Sequence, residues 1–171
     1  MTPSGIPRYN LQEKDLVKVH LETDRTVSRG NSAKLKPSIE WRMHISIHKK
    51  LSNVNAVVHT NSPYTLAVAI PVNEFQHIIE EAKIIVGNPV IIPNKPSGSI
   101  ELANTVLNAF EGERKKEENG DEQVRALIIR NHGVVSIGNN IHQARAVIES
   151  LEEWANIYTI PKIFGGPKYV L

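Results

Sequence analysis

The chain has 171 residues, 40% of them hydrophobic and 22% charged, with a formal net charge of +2; that length suits one domain and that balance excludes a disordered chain. The small net charge and the 5% aromatic content argue against a nucleic-acid partner, and no apolar run approaches the roughly 20 residues of a membrane span. The start, Met1-Thr2-Pro3-Ser4-Gly5, does not read as a secretory signal, and the absence of cysteine excludes disulfides, thiolate ligands and thiol nucleophiles, so a cytoplasmic location is expected.

Taken in chain order, residues 16–21 alternate apolar and polar and predict a strand. Trp41, Met43, Ile45 and Ile47 also alternate and favour a strand, although Met43, Ile47 and Leu51 fit a helical stripe behind a Ser38 cap. Residues 55–59 predict a short buried strand. The apolar runs 66–70 and 90–92 suit buried strands or short helix faces, and 75–86 is a helix candidate. Ile100, Ala103, Leu107 and Phe110 form one helical stripe. Residues 111–123 mix charges and end in Asn119-Gly120, which predicts a solvated helix end and a turn, a surface excursion rather than a domain boundary. Residues 124–129 and 134–137 are β-branched runs parted by Arg130-Asn131-His132-Gly133, which predicts adjacent strands joined by a tight polar turn. Ile141, Ala144, Ile148, Leu151, Ala155 and Tyr158 form a long stripe, with Asn139 or Asn140 to cap it and Pro161 to end it. Strands and helices intermix, so an α/β or α+β layered domain is expected.

Seven histidines are present. His20 belongs to the predicted strand and is expected to face solvent; His77 and His142 fall on predicted helices. His44 and His48 have the i, i+4 spacing that binds metal on a helix face, without the intervening acid of a metalloprotease motif. His59 ends a buried run and shares its side with Asn61 in extended backbone. His132 precedes a glycine that permits a turn and a close approach. Sites accumulate at strand ends, so His59 and His132 are candidates for one metal site; the alternative is two turn histidines bonded to backbone. Thr2-Pro3-Ser4-Gly5 is a hydroxyl-bearing turn, and Lys36-Pro37-Ser38-Ile39-Glu40 suits a helix start whose free N–H groups can hold an anion; the alternative is an ordinary turn and an ordinary cap.

Four segments in this order resemble the class II aldolase/adducin family: Thr2-Pro3-Ser4-Gly5-Ile6-Pro7, residues 36–44, residues 55–64 and residues 130–138. The resemblance covers nearly the whole chain. It implies an α/β fold, a mixed β-sheet flanked by helices, as a single domain over 1–171, and it makes 38–51 a helix. It implies a zinc ion held by His59 and His132, with Asn61 standing where a second strand-end histidine is expected. An amide oxygen is a poorer zinc ligand than imidazole, so weak zinc binding follows. Glu40 matches the family's acid/base, and Ser4, Gly5 and Ser38 match positions that hold a substrate phosphate. The implied reaction is C–C cleavage in a small phosphorylated sugar, the zinc polarising the hydroxy-ketone oxygens and stabilising the enediolate. A non-catalytic adducin-like binding or assembly domain, and a related metal-dependent epimerase or dehydratase, are the alternatives. The family's aldolases are tetramers, so a homo-oligomer is implied. Ile39 departs from the second serine of the phosphate turn, and Phe75-Gln76-His77-Ile78 lacks a tyrosine the aldolases use. Members usually carry an N-terminal helix and a Gly-Asn-x-Ser turn before the Thr-Pro-Ser-Gly segment, so the chain reads as N-terminally shortened, either because Met1 is internal to a longer chain or because this is a shortened member; Gly30-Asn31-Ser32 lies after that segment.

Overall fold

The computed structural model describes residues 1–27, 33–76, 78–117 and 124–166. They fall into two compact units, Met1–Ser52 with Lys95–Asn104, and Asn53–Asn94 with Thr105–Leu171. His77, Gly30-Asn31-Ser32 and Asn119-Gly120 lie outside the described residues.

In the first unit the chain starts with single turns of 3-10 helix at Arg8–Asn10 and Glu13–Asp15. The strand expected at 16–21 does not form. Val17 is buried there, but the pairing is a lone bridge between Val19 and Thr26. Alternation alone makes no strand without a neighbour to complete its ladder. His20 is exposed, as expected. The helix α1 (Trp41–Lys50) occupies the segment whose alternation favoured a strand. Met43, Ile45 and Ile47 are all buried on it. A helix covered on more than one side loses its single stripe, and its apolar residues then mimic a period of two. The helix that the family resemblance implied over 38–51 forms over Trp41–Lys50.

In the second unit the strands β1 (Ala56–Thr60), β2 (Val90–Ile92), β3 (Ala126–Ile129) and β4 (Gly133–Gly138) form a sheet in the order β1-β4-β3-β2. β4 pairs antiparallel with β1 and β3, and β2 runs parallel to β3, so the sheet is mixed as implied. The unit's helices are α2 (Pro63–Ala69), α3 (Glu80–Val86) and α5 (Ile141–Ile163), together with α4 (Ile100–Glu117) from Thr105 onward, the start of α4 belonging to the first unit. α3 is shorter than the predicted 75–86: Ile79 is extended, and Phe75 instead stacks edge-on to Trp154, with ring centres 5.5 Å apart. On α4 the stripe residues Ala103, Leu107 and Phe110 are buried, while Ile100 is exposed. On α5, Asn140 supplies the cap, its Oδ1 accepting from the Gln143 N–H at 2.9 Å. Pro161 lies inside α5, two residues before Ile163, rather than ending it.

Ala126, Ile128 and Val134 on one sheet face pack with Val147, Leu151, Trp154 and Tyr158 of α5 and with Val68 and Val86 of α2 and α3. Leu127, Ile129 and Val135 alternate to the other face and are buried too. β3 and its neighbour are thus buried on both faces, which explains their unbroken apolar runs. The Ser136 hydroxyl donates to the Ala144 carbonyl at 2.7 Å and ties β4 to α5.

Candidate active site

Strand register sets the histidines of the second unit. His59 sits opposite Val135, one residue before the end of β1, and the turn 130–133 joins β3 to β4 at the same end of the sheet. Asn131 takes a left-handed φ of 58° in that turn, and the His132 N–H donates to the Ile129 carbonyl at 3.0 Å. The result sets the His59 and His132 rings edge-to-face, with centres 5.2 Å apart. His59 Nδ1 lies 3.0 Å from the Val134 carbonyl. A carbonyl only accepts, so Nδ1 carries the proton, and in the neutral ring Nε2 holds the lone pair. This is the second-contact pattern that orients metal-binding imidazoles.

Asn61 follows on the same side. A Cβ built on Gly133 would stand 2.6 Å from His59 Cε1, 2.7 Å from the Thr60 carbonyl oxygen and 3.3 Å from Asn61 Oδ1. The bare glycine therefore makes the space in which those two side chains lie. His59 and His132 thus lie ring to ring, and Asn61 Oδ1 lies beside Gly133. Among the described residues, no group of three His, Cys, Asp or Glu side chains is placed to hold a metal ion. That applies equally to His44 and His48, which sit half-buried on α1.

The first unit assembles the other candidates. The Ser4 N–H donates to the Lys36 carbonyl at 2.9 Å and the Ser38 N–H to the Thr2 carbonyl at 3.1 Å, around a bridge between Pro3 and Pro37. The Thr2–Gly5 turn and the lead into α1 thus lie side by side, with Ser4 and Gly5 exposed and Ser38 half-buried. Glu40 stands at the N-cap of α1 and is 3% exposed. Its two carboxylate oxygens accept from the Gly98 N–H, each at 3.1 Å.

Two supporting residues were missed in the sequence. Arg130 donates to the carbonyls of Ala69, Ile70 and Val72 and to Asn73 Oδ1, closing the end of α2 onto the histidine turn. Its place inside Arg130-Asn131-His132-Gly133 is the one signal available. Glu152 of α5 accepts from the Tyr64 and Thr65 N–H groups, both at 2.9 Å, and from the Thr65 hydroxyl at 2.7 Å. It caps α2 just after Asn61 from 88 positions away, beyond any local motif.

The family model for the class II aldolase and adducin N-terminal domain matches residues 1–159. An L-fuculose phosphate aldolase of Methanococcus maripaludis strain C7 is 32% identical over 157 residues, covering 92% of this chain and 76% of the relative. A 5-deoxy-D-ribulose 1-phosphate aldolase of Bacillus thuringiensis serovar kurstaki is 33% identical over 168 residues, covering 98% and 71%. A solved L-fuculose 1-phosphate aldolase superposes with a TM-score of 0.78 at 27% identity, covering 99% of this chain and 72% of that one. With its mixed sheet, its ordered motifs and this match along most of its length, the chain belongs to the class II aldolase and adducin family.

Proposed function

We propose that the chain is a metal-dependent aldolase-like lyase that cleaves a C–C bond in a small phosphorylated sugar. In this reading it is one domain over 1–171, assembles as a homo-oligomer and works in the cytoplasm. Aldolase relatives of fuculose phosphate and deoxyribulose phosphate support the class of reaction. Class II aldolases generally use a divalent metal, typically zinc.

The observation that carries the reading is the pair of imidazoles. Two imidazoles on one tetrahedral ion, each bound at about 2.0–2.1 Å, hold their ring centres about 5 Å apart. The His59 and His132 centres are 5.2 Å apart, and the Val134 carbonyl selects the His59 tautomer that ligates through Nε2. His59 and His132 would therefore hold the ion, with the Asn61 amide oxygen as a weaker third donor. Bound there, the ion would supply Lewis-acid polarisation of the substrate's carbonyl and hydroxyl oxygens. Glu40 moves the proton: it takes one from the hydroxyl whose carbon leaves as the aldehyde and returns one to the carbon left behind. The Ser4 and Ser38 hydroxyls and the Gly5 turn hold the phosphate, beside the N-terminus of α1.

The test is metal content of the purified protein together with turnover of L-fuculose 1-phosphate and 5-deoxy-D-ribulose 1-phosphate. Release of dihydroxyacetone phosphate, lost in His132→Ala, is expected. Epimerised or dehydrated product without C–C cleavage would transfer the site to those reactions. One observation favours a non-catalytic binding or assembly domain instead: Asn61 leaves the strand end with two imidazoles rather than three. Absence of both bound metal and turnover would decide for that reading.

A further inference from the structure

Gly98 is enclosed by the residues that open α1. Its N–H is shared by both Glu40 oxygens at 3.1 Å, and its carbonyl accepts from Arg42 Nη1 at 2.9 Å. Ile39 closes a third side: a Cβ on Gly98 would stand 2.8 Å from the Ile39 carbonyl oxygen and 2.9 Å from its Cγ1. With φ at +70°, the position rejects a side chain on conformation as well as on space. The turn is held on its flanks. The Ser99 N–H donates to the Pro96 carbonyl at 3.1 Å, the Ser99 hydroxyl accepts from the Leu102 N–H at 3.0 Å, and Lys95 pairs with Glu101 at 2.8 Å.

The bond to Glu40 is three-centred: one N–H lies 3.1 Å from each oxygen, so the amide faces the edge of the carboxylate. Arg42 meanwhile lies over the Trp41 ring, 4.6 Å from its centre, so its guanidinium is steadied on one side while it holds the Gly98 carbonyl.

We propose that Gly98 and Arg42 are positioning residues for the Glu40 carboxylate: the Gly98 amide orients it for proton transfer, and Arg42 holds Gly98. This rests on the reading of Glu40 as the proton carrier. A merely structural Arg42 would affect stability alone.

The experiment has two arms on the full-length protein. In the first, the Gly98 amide is followed by 1H–15N NMR in wild type, Glu40→Gln, Arg42→Ala and Arg42→Lys. The Gly98 signal is expected to move in Glu40→Gln and in Arg42→Ala and to return part-way in Arg42→Lys, with the amides of β3 and β4 unchanged. An unmoved Gly98 signal in Glu40→Gln or in Arg42→Ala overturns the positioning. In the second arm, Arg42→Ala is expected to lower kcat for phosphorylated-sugar cleavage by about tenfold or more with KM little changed, and Arg42→Lys to recover part of it. Unchanged kcat in a folded Arg42→Ala protein overturns the proposal. Absence of cleavage by wild type overturns the lyase reading, and the NMR arm then still decides whether Arg42 and Gly98 hold Glu40.

Discussion

The carboxylate region of the first unit and the imidazole region of the second are built by opposite means. His59 and His132 stand on paired strands, where each position is set by a repeating ladder and by a core that buries β3 and β4 on both faces. Glu40 stands on a helix end, held by the amide of a turn that is itself secured by a few single contacts. A ladder averages the loss of any one bond over its neighbours, whereas a turn transmits each loss to the group it holds. The imidazoles therefore answer to the integrity of the core, and the carboxylate to individual side chains.

The widest test of that contrast is Trp154→Ala. Trp154 is fully buried, donates to the Gln76 carbonyl at 3.1 Å and stacks on Phe75. Its loss is expected to cost about 3–5 kcal/mol, read as a fall in the denaturant midpoint. A loss below about 1 kcal/mol would show that the second unit does not depend on this core.

Glu152→Ala removes the acceptor for three donors at the start of α2. A cost of about 1–3 kcal/mol is expected, with hydrogen exchange rising first at Thr65. Exchange rising equally along β3 and β4 would mean that α2 and the sheet open together and that the local account is wrong.

At the strand ends, Asn61→His is expected to tighten zinc binding by at least about tenfold, about 1.4 kcal/mol, and His132→Ala to abolish it. Calorimetric titration reads both. In wild type and Asn61→His affinity should fall as pH is lowered, because an imidazole ligates only when neutral. Equal zinc affinity in wild type, Asn61→His and His132→Ala would mean that the metal binds elsewhere.

The smallest effect lies in the first unit. Ser99→Ala removes the cap of α4 and is expected to cost about 1 kcal/mol, with faster exchange of the Gly98 amide. Protection of that amide at the wild-type level would show that the turn holds Glu40 without Ser99.

Elements whose burial is uniform along their length are readable from local pattern. β3, β4 and their turn were legible because β-branched runs broken by Arg130-Asn131-His132-Gly133 have few other solutions. α5 was legible because one face of it meets the core, so its stripe keeps the helical period. His59 and His132 lie side by side because a strand end and a strand-joining turn are local features that pairing brings together.

Other features depend on contacts between distant segments. α1 lost its period because Met43, Ile45 and Ile47 are covered on more than one side. The strand expected at 16–21 stayed a single bridge because alternation records a side chain's surroundings and not the presence of a partner strand. α2 has its N-terminus satisfied by Glu152 and its end by Arg130. The amide on Glu40 comes from Gly98, 58 positions along the chain. Local pattern reports the propensity of a segment and the faces it presents. A hydrogen bond between distant residues depends on the closure of the chain between them, and no window of sequence contains that information.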